Sequence, residues 1–301
     1  MTPLRVGTRG SALALVQARW VADRLEGAEI VEIVTSGDEA RGVGDKSRWV
    51  DAIEAALVAG EIDVAVHSAK DVPGELAEGC AIVATPPRAS AVDVLVVGTA
   101  AGRSEVAAGS AAWPGDPPPE LAGLPEGARV GTSSLRRQAQ VLSGRPDLEV
   151  VELRGNVDTR LRKLEAGEAD GIILAAAGLD RLGIMHDVTP LDFVPAPGQG
   201  TLALEARADD ERVRAAVQAV HDAATFADLQ AERAAVRVLG ATCHTPVGIH
   251  ARGGTIRGFV GLPDGSAWVA DELAGTDGEA LARRMLSAGA GELLARAEAL
   301  A

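Results

Sequence analysis

Three clusters of side chains in this sequence could do chemistry. "VGTSSLRRQAQ" at residues 130–140 places Thr132 and Ser134 just before two adjacent arginines, Arg136 and Arg137. The pattern reads as a strand end, a hydroxyl cap and a helix start. Both cations then fall in a first helical turn, the positive end of the helix dipole, and an anionic ligand would offset that placement. "VAVHSAKDVPG" sets His67, Ser68, Lys70 and Asp71 at the end of an apolar run that Pro73 closes. Asp71 there reads either as a surface partner of Lys70 or as an acid/base carboxylate tuned by neighbouring cations. "GATCHTPVG" places Cys243 in a loop after a helix, as a partly buried structural thiol or as a nucleophile or covalent attachment point. Cys80, which begins an apolar strand, reads as a packing residue.

The arginines extend beyond the first cluster. Residues 129–163 hold eight Lys/Arg against four Asp/Glu, inside a 301-residue chain of net charge −14. Arg154 ends a strand, Asn156 or Asp158 can cap the helix carrying Arg160, and Arg9 and Ser11 occupy the first strand-to-helix turn. Taken singly, each arginine could be a surface residue paired with a local acid. The set, repeated at strand–helix junctions, reads as a site for a ligand with several carboxylates, because guanidinium binds carboxylate in a bidentate fork. No G-x-x-x-x-G-K-[ST] run is present, so an ordinary nucleotide is not expected. The acidic balance, no Tyr, three Phe and four Trp argue against nucleic acid and anionic membranes as partners. No apolar run is long enough to span a bilayer, and "MTPLRVGTRG" has no apolar leader core, so a cytoplasmic protein is expected.

The elements that must position these residues alternate. "LRVGT" reads as a strand, "ALALVQARWVADRLEG" as a helix over 12–27, "AEIVEIVTS" as a strand and "SRWVDAIEAALVAG" as a helix. "IDVAVHSA", "AIVATPP", "VDVLVVG" and, later, "DGIILAAAGL" are further strands, and this order predicts a mostly parallel sheet. Residues 99–128 are rich in Ala, Gly and Pro and read as a linker or surface insertion. Arg5-Val6-Gly7-Thr8 then echoes in Arg129-Val130-Gly131-Thr132, each followed by a Ser/Arg cluster and a helix, which predicts two similar domains. "FVPAPGQGTLALEAR" at 193–207 reads as a crossover returning to the first domain. A helix, a hairpin turning at Pro263-Asp264-Gly265 and a helical end predict a small closing α+β domain.

The stretches "GTRGSALAL", "DVAVHSAKDVP", "VGTSSLRRQAQ", "LRGNVDTRLRKLEAGEADGIILAAAGLDRLG", "PAPGQG" and "GATCHTPVG" resemble, in order, the motifs of the porphobilinogen deaminase (hydroxymethylbilane synthase) family over nearly the whole chain. The resemblance implies an α/β protein of two doubly wound domains, like those of periplasmic binding proteins, plus a small α+β C-terminal domain. The expected boundaries are 1–98 with 199–218, then 99–198, then 219–301. It implies a dipyrromethane cofactor joined to Cys243 by a thioether. Four porphobilinogen units are added in turn with loss of ammonia, and hydrolysis releases the linear tetrapyrrole. Asp71 matches the catalytic aspartate, moving a proton and stabilising the cationic methylenepyrrolenine. Lys70, Arg136, Arg137, Arg154 and Arg160 match binders of cofactor carboxylates, with Ser68, Thr132 and Ser134 as polar contacts. Arg9, Ser11 and Gln199 match substrate-side residues. Lys46 and Trp49 match the end of an active-site loop, which is several residues shorter here and carries Trp in place of the usual Phe. A monomer that meets the next pathway enzyme transiently is expected, with no metal.

Two other classes fit parts of the pattern. A non-catalytic binder of a small anion would use the arginines without Asp71 or Cys243. A thiol acyl-transfer enzyme would use Cys243, but no nucleophile-elbow motif accompanies it.

Overall fold

The computed structural model describes residues 3–35, 47–98, 121, 123–242 and 245–300, with the side chains of 47–49 excepted. The chain divides into two compact units, Met1–Ser90 with Gly198–Arg233, and Ala91–Pro197 with Ala234–Ala301.

The first unit opens with β1 (Arg5–Arg9), α1 (Ala12–Ala22), β2 (Glu29–Ile33), α2 (Ser47–Val58), β3 (Val64–Ser68) and β4 (Cys80–Ala84). Its sheet runs β2-β1-β3-β10-β4, where β10 (Leu202–Arg207) is the returning strand. β1 pairs parallel with β2 and β3, and β10 inserts antiparallel between β3 and β4. Alternation of side chains along the strands sends Val6, Val64, Val66, Leu202 and Leu204 to the face covered by α1. Ala65 goes to the opposite face, against Ile53 and Leu57 of α2. Helix α1 starts where Ser11 caps Ala14 N–H and ends earlier than its apolar pattern, which continues through turns to Gly27.

The second unit repeats the plan. β5 (Asp93–Val97), β6 (Arg129–Gly131), α3 (Leu135–Gly144), β7 (Glu149–Val151), α4 (Val157–Glu165), β8 (Gly171–Ala175), α5 (Ala176–Leu182) and β9 (Thr189–Leu191) give a sheet ordered β7-β6-β8-β5-β9. The tetrapeptide echo is a structural duplication. In each unit the echoed strand lies between the next two parallel strands. The Arg5 N–H bonds Asp63 at 2.8 Å, and the Arg129 N–H bonds Asp170 at 2.8 Å. Gly7 and Gly131 sit where a Cβ would fall 2.2 Å from Ile62 and 3.0 Å from Ile172, so the close packing of each echoed strand needs glycine.

After β10 come α6 (Glu211–Val217) and α7 (Ala223–Leu239). A three-stranded antiparallel sheet follows, β11 (Val247–Arg252), β12 (Thr255–Gly261) and β13 (Trp268–Ala274), backed by α8 (Gly278–Ser287) and α9 (Ala290–Leu300). Phe259 of β12 packs with Ala139 of α3 and with Val194.

Three readings change. β5 lies in the second sheet, hydrogen-bonded between β8 and β9, so the first unit ends at Ser90 and not at 98. A five-residue apolar strand carries no mark of which sheet it joins, whereas its first residue, Asp93, has its partners on α3. The stretch "AAGL" after Ala175 forms the start of α5 and is not strand. The boundary near 218 moves to 233, because Phe226 and Leu229 of α7 pack against Ala69 and Val72.

The duplicated aspartates have depressed pKa values. Burial alone would raise Asp63, but its bonds to Arg5 outweigh that, and for Asp170 the Arg129 bond is the largest cause. Both braces are therefore complete above about pH 4, and their contribution is lost as pH falls through the lowered pKa values. Thermal unfolding between about pH 7 and pH 2 should show a flatter acid limb for the Asp63→Asn/Asp170→Asn double variant than for the wild-type chain. An identical acid limb would show that the braces carry no pH-dependent stability.

Candidate active site

In the first unit the residues gather at the carboxyl ends of β1 and β3, neighbouring parallel strands. Arg9 ends β1 and Ser11 caps α1. β3 ends at Ser68 and passes into a tight 3-10 turn, Ala69–Asp71, that Val72 and Pro73 bring to an end. Buried Gln17 of α1 donates to the Ser68 hydroxyl at 3.0 Å, which ties the first helix to the end of β3. Lys70 Nζ donates to Gln199 Oε1 at 3.4 Å. Asp71 is half-buried at the end of the turn.

The Gln199 loop is held tightly. Gly198 and Gly200 have φ of +73° and +84°, the left-handed region where side chains are disfavoured. A Cβ on Gly198 would fall 2.9 Å from the Ala69 and Lys70 backbone, and one on Gly200 2.5 Å from the Ala89 carbonyl. The Gly198 N–H donates to Glu232 Oε2 at 2.6 Å, and Arg88 grips the same buried carboxylate at 2.7 Å. Arg88 Nε also donates to the Gln199 carbonyl at 2.9 Å. Thus a buried ion pair and two glycines set the loop that presents Gln199 to Lys70.

In the second unit, Ser134 caps α3 by accepting the Arg137 N–H, and buried Thr132 accepts the Ser134 N–H at 3.2 Å. Arg136 and Arg137 are buried, neither surface residues nor paired with acids nearby in sequence. Both reach Asp93, itself 0% exposed. Arg136 Nη1 bonds Asp93 Oδ2 and the Val194 carbonyl, each at 2.8 Å. Arg137 Nε and Nη2 fork onto Asp93 Oδ1 at 3.0 and 2.8 Å, and its Nη1 bonds the Ile173 carbonyl at 2.8 Å. Burial first, and then the like charge of Arg137, lower the Arg136 pKa from its ordinary value, while Asp93 acts against both. Two guanidiniums on one carboxylate leave a net positive charge behind the first turn of α3. Arg136 Nε is buried without a hydrogen-bond partner.

The remaining arginines lie outside that cluster. Arg160 bonds the Gly155 carbonyl at 2.8 Å and Ser133 Oγ at 3.1 Å, and Asn156 caps its helix. Arg154 pairs with Glu152 at 2.6 Å, and both are half or more exposed. Lys46 and Cys243 lie outside the described residues, and Trp49 lies on α2 with its side chain outside the description. Thr245 Oγ accepts the Thr242 N–H at 3.0 Å.

Sequence reasoning missed Gln17, Arg88, Asp93 and Glu232. Gln17 had a signal, as a polar residue on the buried stripe of α1 with Ala18 and Val21. Glu232 sits in a charged amphipathic helix where nothing marks one acid as buried.

The donor set fits a dipyrromethane. Hydroxyls and a helix N-terminus with net positive charge behind it suit a ligand bearing several carboxylates. A family model for porphobilinogen deaminase, dipyromethane cofactor binding domain, matches residues 4–215, and one for its C-terminal domain matches 226–287. The chain is 41% identical to the porphobilinogen deaminase of Exiguobacterium sibiricum over 98% of each chain. It is 44% identical to that of Deinococcus radiodurans over 98% of each, and 43% identical to that of Thermus thermophilus over 97% of this chain and 98% of the other. Among solved structures, a periplasmic substrate-binding protein of an ABC transporter from Coxiella burnetii aligns with TM-score 0.44 and 14% identity over 74% of this chain and 94% of that one. The chain belongs to the porphobilinogen deaminase family. It is a transferase of tetrapyrrole biosynthesis with hydroxymethylbilane synthase activity and a dipyrromethane cofactor.

Removing Asp93 tests the buried cluster. Asp93→Ala leaves two guanidiniums buried without a counter-charge and should cost about 3–5 kcal/mol in chemical denaturation. Asp93→Asn, which keeps one acceptor, should cost less. A loss below about 1 kcal/mol for the alanine variant would show that water or rearrangement satisfies the arginines.

Proposed function

We propose that Asp71 is the reacting carboxylate. It hands a proton to the departing amine of porphobilinogen and then faces the positive charge left on the substrate. A half-buried carboxylate at the end of a fixed turn suits that work, because a preorganised negative group stabilises a developing cation without having to reorient. Lys70 stands beside it in sequence and is steered by Gln199. That pairing is the single observation that carries the assignment, since it joins the two motifs, "HSAKD" and "PGQG", at one place. Arg9 and Ser11, at the end of the neighbouring strand, take substrate carboxylates.

The dipyrromethane, when bound, supplies the pyrrole carbon on which the chain grows. Cys243 is its attachment point. Arg154 and Arg160 hold its carboxylates directly, with Ser68, Thr132 and Ser134 as polar contacts. Arg136 and Arg137 serve it from behind α3, through the charge that Asp93 leaves unbalanced. Lys46 and Trp49 belong to the segment that borders the substrate. The protein works in the cytoplasm as a monomer and passes hydroxymethylbilane to the next pathway enzyme in transient encounters. Among the described residues no helix is long and apolar enough to cross a membrane, in keeping with this reading.

Intact mass tests the attachment. Protein made with porphobilinogen available should weigh two linked pyrrole units more than the polypeptide, and Cys243→Ser should lose that increment and the activity together. A bare polypeptide mass after incubation with porphobilinogen would sink the attachment. Asp71→Asn, verified as cofactor-loaded by mass, should release ammonia at least about 10²-fold more slowly, the scale of a general acid–base group, with KM little changed. Turnover close to wild type would remove Asp71 from the chemistry.

A further inference from the structure

The face of the first sheet opposite α1 carries ionisable groups with no place in the mechanism above. His67 lies on β3, Glu205 on β10 and Glu54 on α2, and all three are buried, Glu205 completely. The antiparallel register pairs His67 with Ala203 and Ala65 with Glu205, so His67 and Glu205 are diagonal neighbours on one face. His67 Nε2 lies 3.1 Å from Glu205 Oε2, within ion-pair distance but off the hydrogen-bond line. Glu54 Oε1 accepts the Ala77 N–H at 3.0 Å. Burial first, and then the neighbouring Glu205 carboxyl, push the Glu54 carboxyl above its ordinary range, against the Ala77 bond. Asp51 of α2 pushes Glu54 the same way, and burial first, then Glu205 and Glu54, raise the Cys80 thiol of β4 to about 11, against Arg207 of β10.

The position of this cluster in the chain is informative. Residue 67 and residue 77 flank the turn that carries Lys70 and Asp71. His67 is the last β3 residue but one, and Ala77 lies in the segment leading to β4. Between them the chain is held at Ala69, whose N–H bonds the Thr201 carbonyl at 2.9 Å, and at Gly74, whose carbonyl accepts from Arg233 at 2.9 Å. A helix and two strands thus meet in one buried polar chain, with an end on each side of the turn. Apolar packing would have filled the same space, as it does with Ile53 and Leu57 of the same helix.

We propose that His67, Glu205 and Glu54 form a positioning chain that fixes the Lys70–Asp71 turn from both flanks. None of the three touches substrate. They act through the placement of Asp71, and the inference rests on the reading of Asp71 as the reacting carboxylate. Removing a link lets the turn shift, and a shift of an ångström or less at a reacting group is felt in kcat more than in KM.

The experiment is a coupling measurement on cofactor-loaded holoenzyme, with loading verified by intact mass. His67→Ala should lower kcat about tenfold or more, with KM for porphobilinogen within about twofold. In an Asp71→Glu background, where the carboxylate is already displaced, the same change should lower kcat by less than about twofold, because residues acting as a unit are not additive. Equal fold losses in the two backgrounds would overturn the proposal and leave His67 an independent structural residue. A second pair of variants decides the matter should His67→Ala fail to fold. Glu54→Gln keeps the Ala77 acceptor and gains a donor towards Glu205, so it should restore most of the turnover that Glu54→Ala loses. Two equally impaired Glu54 variants, or two unimpaired ones, would refute the chain. Asp71→Asn separates the two readings. If that variant keeps wild-type turnover, the assignment of Asp71 fails; if it is inactive while His67→Ala is unimpaired, only the positioning chain fails.

Discussion

One buried carboxylate governs the second unit. Asp93 is the first residue of β5, and its two oxygens accept from two guanidiniums that start α3. Three charges out of water are tolerated only where the geometry is good and the leftover donors are satisfied. Here most are, because Val194 and Ile173 carbonyls take further guanidinium N–H groups. The consequence reaches beyond the ion pairs. β5 must lie beside β8 for Asp93 to stand under α3, and that settles which sheet the strand joins. Gln140, one turn further along α3, exchanges bonds with the Val194 N–H and carbonyl. Residue 194 is therefore fixed by the same helix, at the start of the crossover.

The crossover ends in the first unit under a comparable constraint with different parts. Glu232 is as buried as Asp93, but its partners are one arginine and one backbone N–H. Using a backbone donor makes the carboxylate specify a loop conformation and not a helix position. The loop can approach Ala69 and Lys70 only because glycine occupies 198, and Ala89 and Ser90 only because glycine occupies 200. Gln199 between them is a polar side chain with 1% exposure, and it is spent on Lys70. The two glycines and the glutamine of "PGQG" thus have separate physical tasks.

What was legible follows from whether a residue's task is local. The strand–cap–helix order around Ser11, Ser134 and Asn156 was readable because a cap acts over three residues, and all three caps are present. The RVGT echo was readable for another reason: both copies meet the same demands, an aspartate on the arginine N–H and a glycine under an isoleucine, so the same residue types recur. The destination of Arg136 and Arg137 was not readable. Their partner lies 43 and 44 residues away, and the sequence holds nearer acids. The charge count between 129 and 163 was right, but it could not tell the two arginines that serve the fold from Arg154 and Arg160, which lie further out. The same limit hid Glu232, whose burial depends on packing that no helical period encodes.

The contrast between the polar clusters bears on how each is used. Around Asp93 and Glu232 the carboxylate oxygens accept well-aligned hydrogen bonds, and a network so satisfied resists any change of protonation or position. At Glu205 both oxygens are buried without an aligned donor, although His67 and Glu54 are close by. Buried polar atoms left in that state are costly, and apolar side chains would fill the space at less cost. A cost of that kind is retained where the groups do something that a packed core cannot. Asp93 and Glu232 each specify one conformation of a helix start or a loop. The Glu205 cluster adjoins the turn that carries Asp71, and its contacts end on both sides of that turn. Its location, more than its chemistry, is the reason to read it as part of the catalytic apparatus.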